Sequence, residues 1–323
     1  MSLSEFGLIE RYFSHCGVTR EDVRLGVGDD AALLECPPGQ HLVAAMDTLV
    51  DGVHFPHGAP PASIGYRALA VNLSDLAAMG ARAAWALLAL TLPEADEAWL
   101  SQFTAGFARL ARLHRVALVG GDTTRGPLSV TVQVLGHVSG PAMLRSGGRP
   151  GHALFVSGTP GDAAAGLALE QGRWPESQGA QYLRERFLFP TPRMELGERL
   201  REYASACIDV SDGLLGDAGK LAAASGCGAE IVYADLPLSE PLVRVAGAER
   251  AHELALTGGD DYELCFSVGP GQLAQLLAQM PPERWGYRRI GSLRQAPGID
   301  LVRDGAAVRL PPSGYDHFAG TGR

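Results

Sequence analysis

The chain has 323 residues, of which 46% are hydrophobic and 20% are charged, a composition typical of a globular protein with room for two domains. Its formal net charge is −9 and it has no block of Lys and Arg, which argues against a nucleic-acid-binding surface. Phosphate substrates would need bound cations to approach so acidic a protein, which favours Mg²⁺ at the site.

The cysteines and the N-terminal residues indicate a reducing, cytoplasmic setting. The five cysteines are odd in number and form no C-x-x-C pair, so neither a disulfide framework nor a zinc site is indicated. The N-terminus lacks a basic segment followed by an apolar one. The longest apolar run, 83–92, is too short to span a bilayer. We therefore expect no membrane partner.

The first half of the chain alternates helical and extended patterns. Residues 5–15 predict a helix, and a glycine-rich turn within 25–34 carries two acids. The apolar run 41–46 predicts a buried strand that is followed directly by Asp47. Further helices are predicted at 69–80 and 97–114, and further strands at 83–92, 115–119 and 128–138.

A stretch rich in Gly and Pro, 139–151, is predicted as a linker between two domains, residues 1–138 and 152–323. Beyond it the pattern again mixes strands with helices, which predicts α/β or α+β layers. Strands are predicted at 153–157, 207–213, 229–233, 262–268 and 299–303, and helices after 158–162, at 192–203 and at 271–280.

The predicted helix 69–80 carries a carboxylate beside an apolar stripe. At about 100° per residue, Leu69, Leu73 and Leu76 share one narrow face, and Asp75 lies at its margin. An unpaired charge there would be costly. Asp75 therefore needs a basic partner, backbone donors or a metal ion, unless it is an ordinary exposed helix residue.

Several acids occupy predicted element ends, often beside glycines. Oxygen ligands converging from such ends suit Mg²⁺, and neighbouring glycines let backbone N–H groups approach phosphates. Each piece alone has a structural alternative: Gly121–Asp122 could be a turn, Ser211–Asp212 a helix cap and His54 a plain loop residue. The acids are Asp30, Asp47, Asp122, Asp209, Asp212 and Asp260.

Absent motifs narrow the chemistry. The sequence has no G-x-x-x-x-G-K-[ST] loop, so it is not a P-loop enzyme. It also lacks the H-R-D and D-F-G patterns of protein kinases and the G-x-S-x-G elbow of hydrolases.

Taken together, the motifs resemble the thiamine-monophosphate kinase family. They occur in the order of that family over almost the whole chain, so the match is specific. The matching segments are 26–32, 47–55, 70–80, 120–126, 208–214, 258–264 and 314–318.

The resemblance implies a two-domain α/β fold like that of aminoimidazole-ribonucleotide synthetase, with an N-terminal domain that dimerises through its sheet. It implies direct in-line transfer of the γ-phosphoryl group of ATP to thiamine monophosphate, with Asp122 and Asp212 as catalytic residues. Several Mg²⁺ ions would be held by Asp30, Asp47, Asp75, Asp122, Asp209 and Asp212. ATP would contact Gly121, Asp122, Arg145 and Ser211, and thiamine monophosphate would contact His54, Asp260 and Tyr315.

The chain departs from the family pattern at two places. Ala45–Met46 stands where the family usually has two hydroxyl residues, so hydroxyl ligation is impossible there. Asp260 replaces a common Glu and keeps the charge.

Two groups of alternatives stay open at this point. The first contains other superfamily enzymes: a selenophosphate synthetase, a purine-pathway synthetase or a hydrogenase-maturation factor. Selenophosphate synthesis would call for a reactive Cys near the N-terminal glycine-rich loop, and Cys16 has no such setting. The second is a non-catalytic nucleotide-binding protein with an acidic metal site.

Overall fold

The computed structural model of the chain describes residues 5–310. The chain divides into two compact units, Met1–Ala142 (unit 1) and Met143–Arg323 (unit 2). Within the described range, no helix combines the length and the apolar character needed to cross a membrane.

Unit 1 is built on a four-stranded sheet with the strand order β3-β6-β4-β5, and a separate β1-β2 pair precedes it. The strands are β1 Val23–Leu25, β2 Leu33–Leu34, β3 Gln40–Val50, β4 Arg82–Leu92, β5 Ala117–Arg125 and β6 Ser129–Ser139. The helices are α1 Glu5–Leu8, continued by a π-helical turn at Ile9–Phe13, α2 Pro61–Ala78 and α3 Glu97–Leu113.

The helices of unit 1 cover one face of its sheet. Val130, Val132 and Val134 alternate along β6 and are fully buried on that face. Fifteen of the 18 residues of α2 are buried, so this helix is the centre of the unit. It packs tightly on α3, because a Cβ at Gly65 would lie 2.1 Å from the Phe103 carbonyl oxygen.

Several predicted elements of unit 1 have different bounds. The helix predicted at 69–80 begins at Pro61, since proline is favoured in a first helical turn. The prediction that Asp47 follows a strand is wrong: β3 pairs with β6 without interruption as far as Val50. The strand predicted at 115–119 continues to Arg125, because β5 stays paired with β4. The helix predicted at 5–15 is instead α1 and the π-helical turn.

Unit 2 contains a seven-stranded mixed sheet in the order β13-β12-β9-β11-β7-β10-β8. Its strands are β7 Ala153–Ser157, β8 Ala204–Val210, β9 Gly228–Val232, β10 Glu263–Val268, β11 Tyr287–Arg294, β12 Gly298–Arg303 and β13 Ala306–Leu310. Its helices are α4 Asp162–Glu170, α5 Ala180–Leu188, α6 Met194–Leu200, α7 Leu214–Ala224, α8 Glu240–Ala246, α9 Ala248–Thr257, α10 Pro270–Gln279 and α11 Pro282–Trp285.

Two apolar clusters form the interior of unit 2. One lies between the sheet and α7, with Ile208 and Leu221 among its members. The other joins α4, α5, α8 and α9, with Leu183 and Leu242 among its members. The predicted α/β class is confirmed in both units. The charged helix α5 and the strand β11, with three arginines, were not predicted, because their apolar residues do not repeat clearly.

The segment predicted as a linker is bonded to unit 2 over part of its length. The Leu144 carbonyl accepts a hydrogen bond from the Cys207 amide at 2.9 Å. The Ser225 hydroxyl donates to the Arg145 carbonyl at 3.0 Å and accepts from the Gly148 amide at 3.1 Å. These bonds tie residues 144–148 to β8 and to the end of α7.

Candidate functional site

The face of the unit 1 sheet opposite α2 and α3 forms one wall of a cleft of about 880 Å³. The loop between β1 and β2 and the turn Ile9–Phe13 supply further lining residues. The cleft therefore brings together two of the predicted motifs, 26–32 and 120–126. Its polar and glycine lining includes Gly26, Gly28, Asp29, Asp30, Gly120, Gly121, Asp122, Thr131 and Gln133.

Asp122 lies on this open face. It is opposite Ala89 of β4, which is opposite Thr131 of β6, which in turn is opposite Thr48 of β3. Residues directly opposite one another share a face of the sheet. The hydroxyls of Thr48 and Thr131 are 2.8 Å apart and hydrogen-bonded. Asp122 is exposed, so its carboxylate is available to a ligand in the cleft.

Asp30 reaches the same cleft from the loop between β1 and β2. Its amide donates to the Asp29 carboxylate at 2.8 Å, and both acids are exposed. The structure thus adds Asp29, which the sequence analysis did not select, to the lining of the cleft. Its position beside Asp30 in a glycine-rich turn was the available signal.

Asp47 and Asp75 do not line the cleft. Asp47 is opposite Val132, which is fully buried on the face covered by the helices, but Asp47 itself is exposed because β3 is an edge strand. Asp75 is half-buried on α2, in the layer that covers this face. The four predicted metal ligands of unit 1 are therefore divided between the two faces of the sheet.

The backbone conformation at residue 121 and its close approach to β4 require a glycine. Its φ is +153°, and a Cβ there would lie 1.8 Å from the Leu88 carbonyl oxygen. Only glycine lets β5 approach β4 this closely at that residue. The glycine thus has a structural reason that does not depend on any contact with ATP.

His54 lies in the turn after β3 and is half-buried. The Val50 amide donates to its Nδ1 at 3.0 Å. Because Nδ1 accepts this bond, the proton of the neutral imidazole is on Nε2. His54 can therefore present Nε2–H as a donor.

In unit 2, the segments 208–214 and 258–264 are hydrogen-bonded to each other through their backbones. The Asp260 amide donates to the Ser211 carbonyl at 2.8 Å, and the Tyr262 amide donates to the Val210 carbonyl at 2.9 Å. Asp260 and Tyr262 have φ values of +71° and +52°, a conformation that few non-glycine residues adopt. Strain of this kind persists where surrounding contacts fix it, and it is common at functional sites.

A buried carboxylate, Asp217 on α7, holds the loop that carries Ser211 and Asp212. Its Oδ2 accepts from the amides of both residues at 2.9 Å. Lys220 donates to Asp217 Oδ1 at 2.9 Å and to Asp212 Oδ2 at 2.6 Å. Burial raises the pKa of Asp217, although the bond from Lys220 opposes that effect.

Asp212 forms an ion pair with Lys220, a basic partner that is not evident from the sequence. Lys220 is eight residues further along the sequence, and the first turns of α7 bring it back to the loop. The i, i+3 spacing of Asp217 and Lys220 was the signal that sequence reasoning missed.

Glu263, within the second motif, is fully buried and is the centre of an ion cluster. Glu263 accepts from Arg186 Nη2 at 2.7 Å, from Arg193 Nε at 2.6 Å and from the Ser157 hydroxyl at 2.5 Å. Burial opposes the ionisation of Glu263. The charges and hydrogen bonds of Arg193 and Arg186 outweigh burial, and the pKa of Glu263 is lowered.

Asp261, between the two strained residues, is also fully buried. Its carboxylate accepts from the amides of Gly161 and Ala163 at 2.6 and 3.2 Å, at the start of α4. Burial raises its pKa well above the ordinary value. Asp261 thus fastens the segment 258–262 to α4, and Asp260 remains partly exposed.

The remaining predicted site residues of unit 2 differ in position and in exposure. Asp209 lies within β8, opposite Leu264, and is only 6% exposed. Arg145 is exposed. Asp260 lines a smaller pocket of about 190 Å³ together with Trp174. Tyr315 lies outside the described residues.

The carboxylates in the cleft fit the donor chemistry of a hard divalent cation such as Mg²⁺. Nevertheless, among residues 5–310 no three His, Cys, Asp or Glu side chains converge to form a metal site. The described residues thus supply suitable donors without a preformed cage.

Comparison with known proteins identifies the two units. The family model "AIR synthase related protein, N-terminal domain" matches residues 28–138. The model "AIR synthase related protein, C-terminal domain" matches residues 149–303. The expectation of an aminoimidazole-ribonucleotide-synthetase-like fold is therefore confirmed.

Individual relatives match over nearly their full length. Thiamine-monophosphate kinase of Salmonella typhimurium is 48% identical over 326 residues, covering 99% of each chain. The crystal structure of thiamine-monophosphate kinase from Stenotrophomonas maltophilia K279a has a TM-score of 0.85 and 46% identity, covering 95% of this chain and 99% of that one. "AaThiL complexed with AMPPCP and TMP" has a TM-score of 0.76 and 33% identity, covering 98% and 97%. The chain therefore belongs to the thiamine-monophosphate kinase family.

Proposed function

We propose that this protein carries out the reaction of its family, the ATP-dependent phosphorylation of thiamine monophosphate to thiamine diphosphate. The observation that carries the proposal is the full-length match at 48% identity to a thiamine-monophosphate kinase. A relative at 33% identity is complexed with AMPPCP, an ATP analogue, and with TMP.

Phosphoryl transfer depends mainly on positioning and on neutralising charge. We assign ATP contacts to Gly121, Asp122, Arg145 and Ser211, and catalytic roles to Asp122 and Asp212. Asp122 is suited to its role because it is exposed on the open face of the sheet. The loop of Ser211 and Asp212 is suited because Asp217 fixes both amides.

The acceptor needs no general base. A phosphate monoester loses its second proton near a pKa of about 6, so at neutral pH the phosphate is already a nucleophile. We assign contacts with thiamine monophosphate to His54, Asp260 and Tyr315. The Nε2–H tautomer of His54 suits donation to a phosphate oxygen.

Mg²⁺ would be held by residues among Asp30, Asp47, Asp75, Asp122, Asp209 and Asp212. When bound, it would neutralise phosphate charge beside an acidic protein. Because Asp30 and Asp122 share the cleft whereas Asp47 and Asp75 do not, we expect the first pair to be closest to the nucleotide.

Turnover with each acceptor tests the proposed function. Purified protein with ATP and Mg²⁺ should form thiamine diphosphate and ADP in equal amounts only when thiamine monophosphate is present. Unphosphorylated thiamine should be a very poor acceptor, because its hydroxyl would need a base. Removing Mg²⁺ with EDTA should stop turnover, and adding it back should restore turnover. ATP binding without turnover would favour the non-catalytic alternative.

We also propose a homodimer formed through the sheet of unit 1. The support is the open sheet face and its edge strand β3, where Met46 is 63% exposed and Leu42 is 56% exposed. Sedimentation at micromolar concentration should give twice the chain mass of 34.0 kDa. Leu42→Lys should shift the protein towards monomer without changing the lining of the cleft, whereas Leu277→Lys, on α10 of unit 2, should leave the dimer intact. A wild-type protein that sediments only as a monomer would contradict this proposal.

Finally, we propose a cytoplasmic location and no nucleic-acid or membrane partner. A net charge of −9 disfavours binding to polyanions. The five cysteines are all unpaired, as is usual in a reducing compartment.

A further inference from the structure

Lys220 is the only lysine in the chain. The other 26 of the 27 Lys and Arg residues are arginines. A chain that uses arginine at every other basic position has one lysine, and that lysine contacts the loop of Ser211 and Asp212. The two side chains are not equivalent: a lysine ammonium is a compact charge with three donors, whereas a guanidinium is a planar fork.

The surroundings of Lys220 use only part of its bonding capacity. Its Nζ donates to Asp212 Oδ2 at 2.6 Å and to Asp217 Oδ1 at 2.9 Å. An ammonium group has three N–H donors, so one remains beyond these two bonds among residues 5–310. The side chain is 43% exposed, and a ligand in solvent can therefore reach it.

The two carboxylates fix the ammonium group beside Ser211. Asp217 is 1% exposed and bonds the Ser211 amide, the Asp212 amide and Lys220 at once. The buried carboxylate of Asp217 therefore holds both the Lys220 ammonium group and the Ser211 amide. An ammonium in such a place is suited to bind a phosphate oxygen as a point charge.

We propose that Lys220 binds a phosphate oxygen of the nucleoside triphosphate through its remaining N–H donor. This inference rests on the proposed function, which assigns an ATP contact to Ser211. In this arrangement Asp217 is a positioning residue, because it acts on the ligand only through Lys220 and the loop amides.

Amine acetylation tests this contact directly, because Lys220 and the α-amino group are the only primary amines of the chain. The untagged protein is treated with sulfo-N-hydroxysuccinimide acetate, and acetylation of each amine is followed by mass spectrometry. With saturating AMPPCP, with and without Mg²⁺, acetylation of Lys220 should slow at least about fivefold, since a bound amine is a poor nucleophile. The α-amino group is the internal control and should react at an unchanged rate.

The outcomes separate this inference from the proposed function. Nucleotide binding, shown by equilibrium dialysis, with unchanged acetylation of Lys220 overturns this inference alone. Protection of Lys220 in a protein that does not phosphorylate thiamine monophosphate overturns the proposed function alone. No binding of nucleotide overturns both.

Substitution provides a second measurement. Lys220→Met should weaken AMPPCP binding by about tenfold or more, the value of one charge-assisted hydrogen bond. The double variant Lys220→Met/Asp217→Asn removes one of the two carboxylate charges that are left without their lysine. Compared with Asp217→Asn alone, it should show the same weakening, because that loss belongs to Lys220 and not to the loop amides that Asp217 fixes. Lys220→Arg should recover part of the affinity. Arg303→Met, a loss of positive charge at an exposed ion pair of unit 2, is the matched control and should bind as wild type. Wild-type affinity in both Lys220→Met proteins would contradict the inference.

Discussion

Replacing Glu263 by Gln is expected to lower the free energy of unfolding of unit 2 by about 3 kcal/mol, the low end of the cost of breaking a buried ion pair. Glu263 is fully buried and accepts charged hydrogen bonds from two arginines. The neutral amide would leave Arg186, which is 11% exposed, without a negatively charged partner. Arg193 is 30% exposed and can be partly hydrated, which limits the loss. Hydrogen exchange of the peptides of unit 2, measured by mass spectrometry, would report this loss of stability.

An exposed pair of similar geometry provides the control. Glu249 accepts from Arg303 through both of its oxygens, at 2.8 and 3.0 Å, and its side chain is 74% exposed. Glu249→Gln should therefore change stability little, since exposed ion pairs contribute little. Equal effects of the two substitutions would contradict the role assigned to burial.

The effect of Glu263→Gln should also depend on pH. The pKa of Glu263 is lowered in the folded protein, so protonation favours the unfolded state. Its stabilising contribution is fully present above the unfolded pKa of about 4.3 and is lost as the pH falls through the folded value. The difference between wild type and Glu263→Gln should accordingly be constant near neutral pH and shrink in acid. Asp261 has the opposite sign, because its raised pKa makes ionisation at higher pH unfavourable to folding.

The sequence predicts the parts of this protein that depend on local patterns. Apolar runs predict the central strands, whereas the assignment of chemistry to the glycine–acid motifs stays a prediction. In the structure, 26–32 and 120–126 line one cleft, and 208–214 and 258–264 are in contact. The fold class follows from the alternation of helices and strands.

What the sequence could not predict depends on long-range pairing. Asp47 follows an apolar run, but the 11-residue register with β6 places it inside an edge strand, opposite the buried Val132, where Asp47 itself is exposed. Asp217 and Glu263 look like ordinary acids of a helix and a strand. Their burial depends on partners that are distant in sequence, as in the 77-residue separation between Arg186 and Glu263. The roles of individual site residues therefore remain predictions.

The second large effect is expected for Gly121→Ala, which should destabilise unit 1 rather than remove an ATP contact selectively. The new Cβ would lie 1.8 Å from the Leu88 carbonyl oxygen and 2.6 Å from its carbon, and these backbone atoms cannot rotate away. The φ of +153° adds strain for any L-residue. Together, overpacking and backbone strain should cost about 3 kcal/mol or more. Faster hydrogen exchange in peptides of β4 and β5, with a lower Tm, would report this cost.

Gly120→Ala is the matched control, one residue earlier on the same strand. Its Cβ would meet Leu87 Cδ2 at 3.1 Å, the end of a flexible side chain, and its φ is not in the left-handed region. Gly120→Ala should therefore keep β4 and β5 protected from exchange. If Gly121→Ala instead kept wild-type stability and lost only ATP affinity, the close approach of β5 to β4 would not be the reason for glycine at 121. The contact with ATP assigned to Gly121 would then be the better explanation.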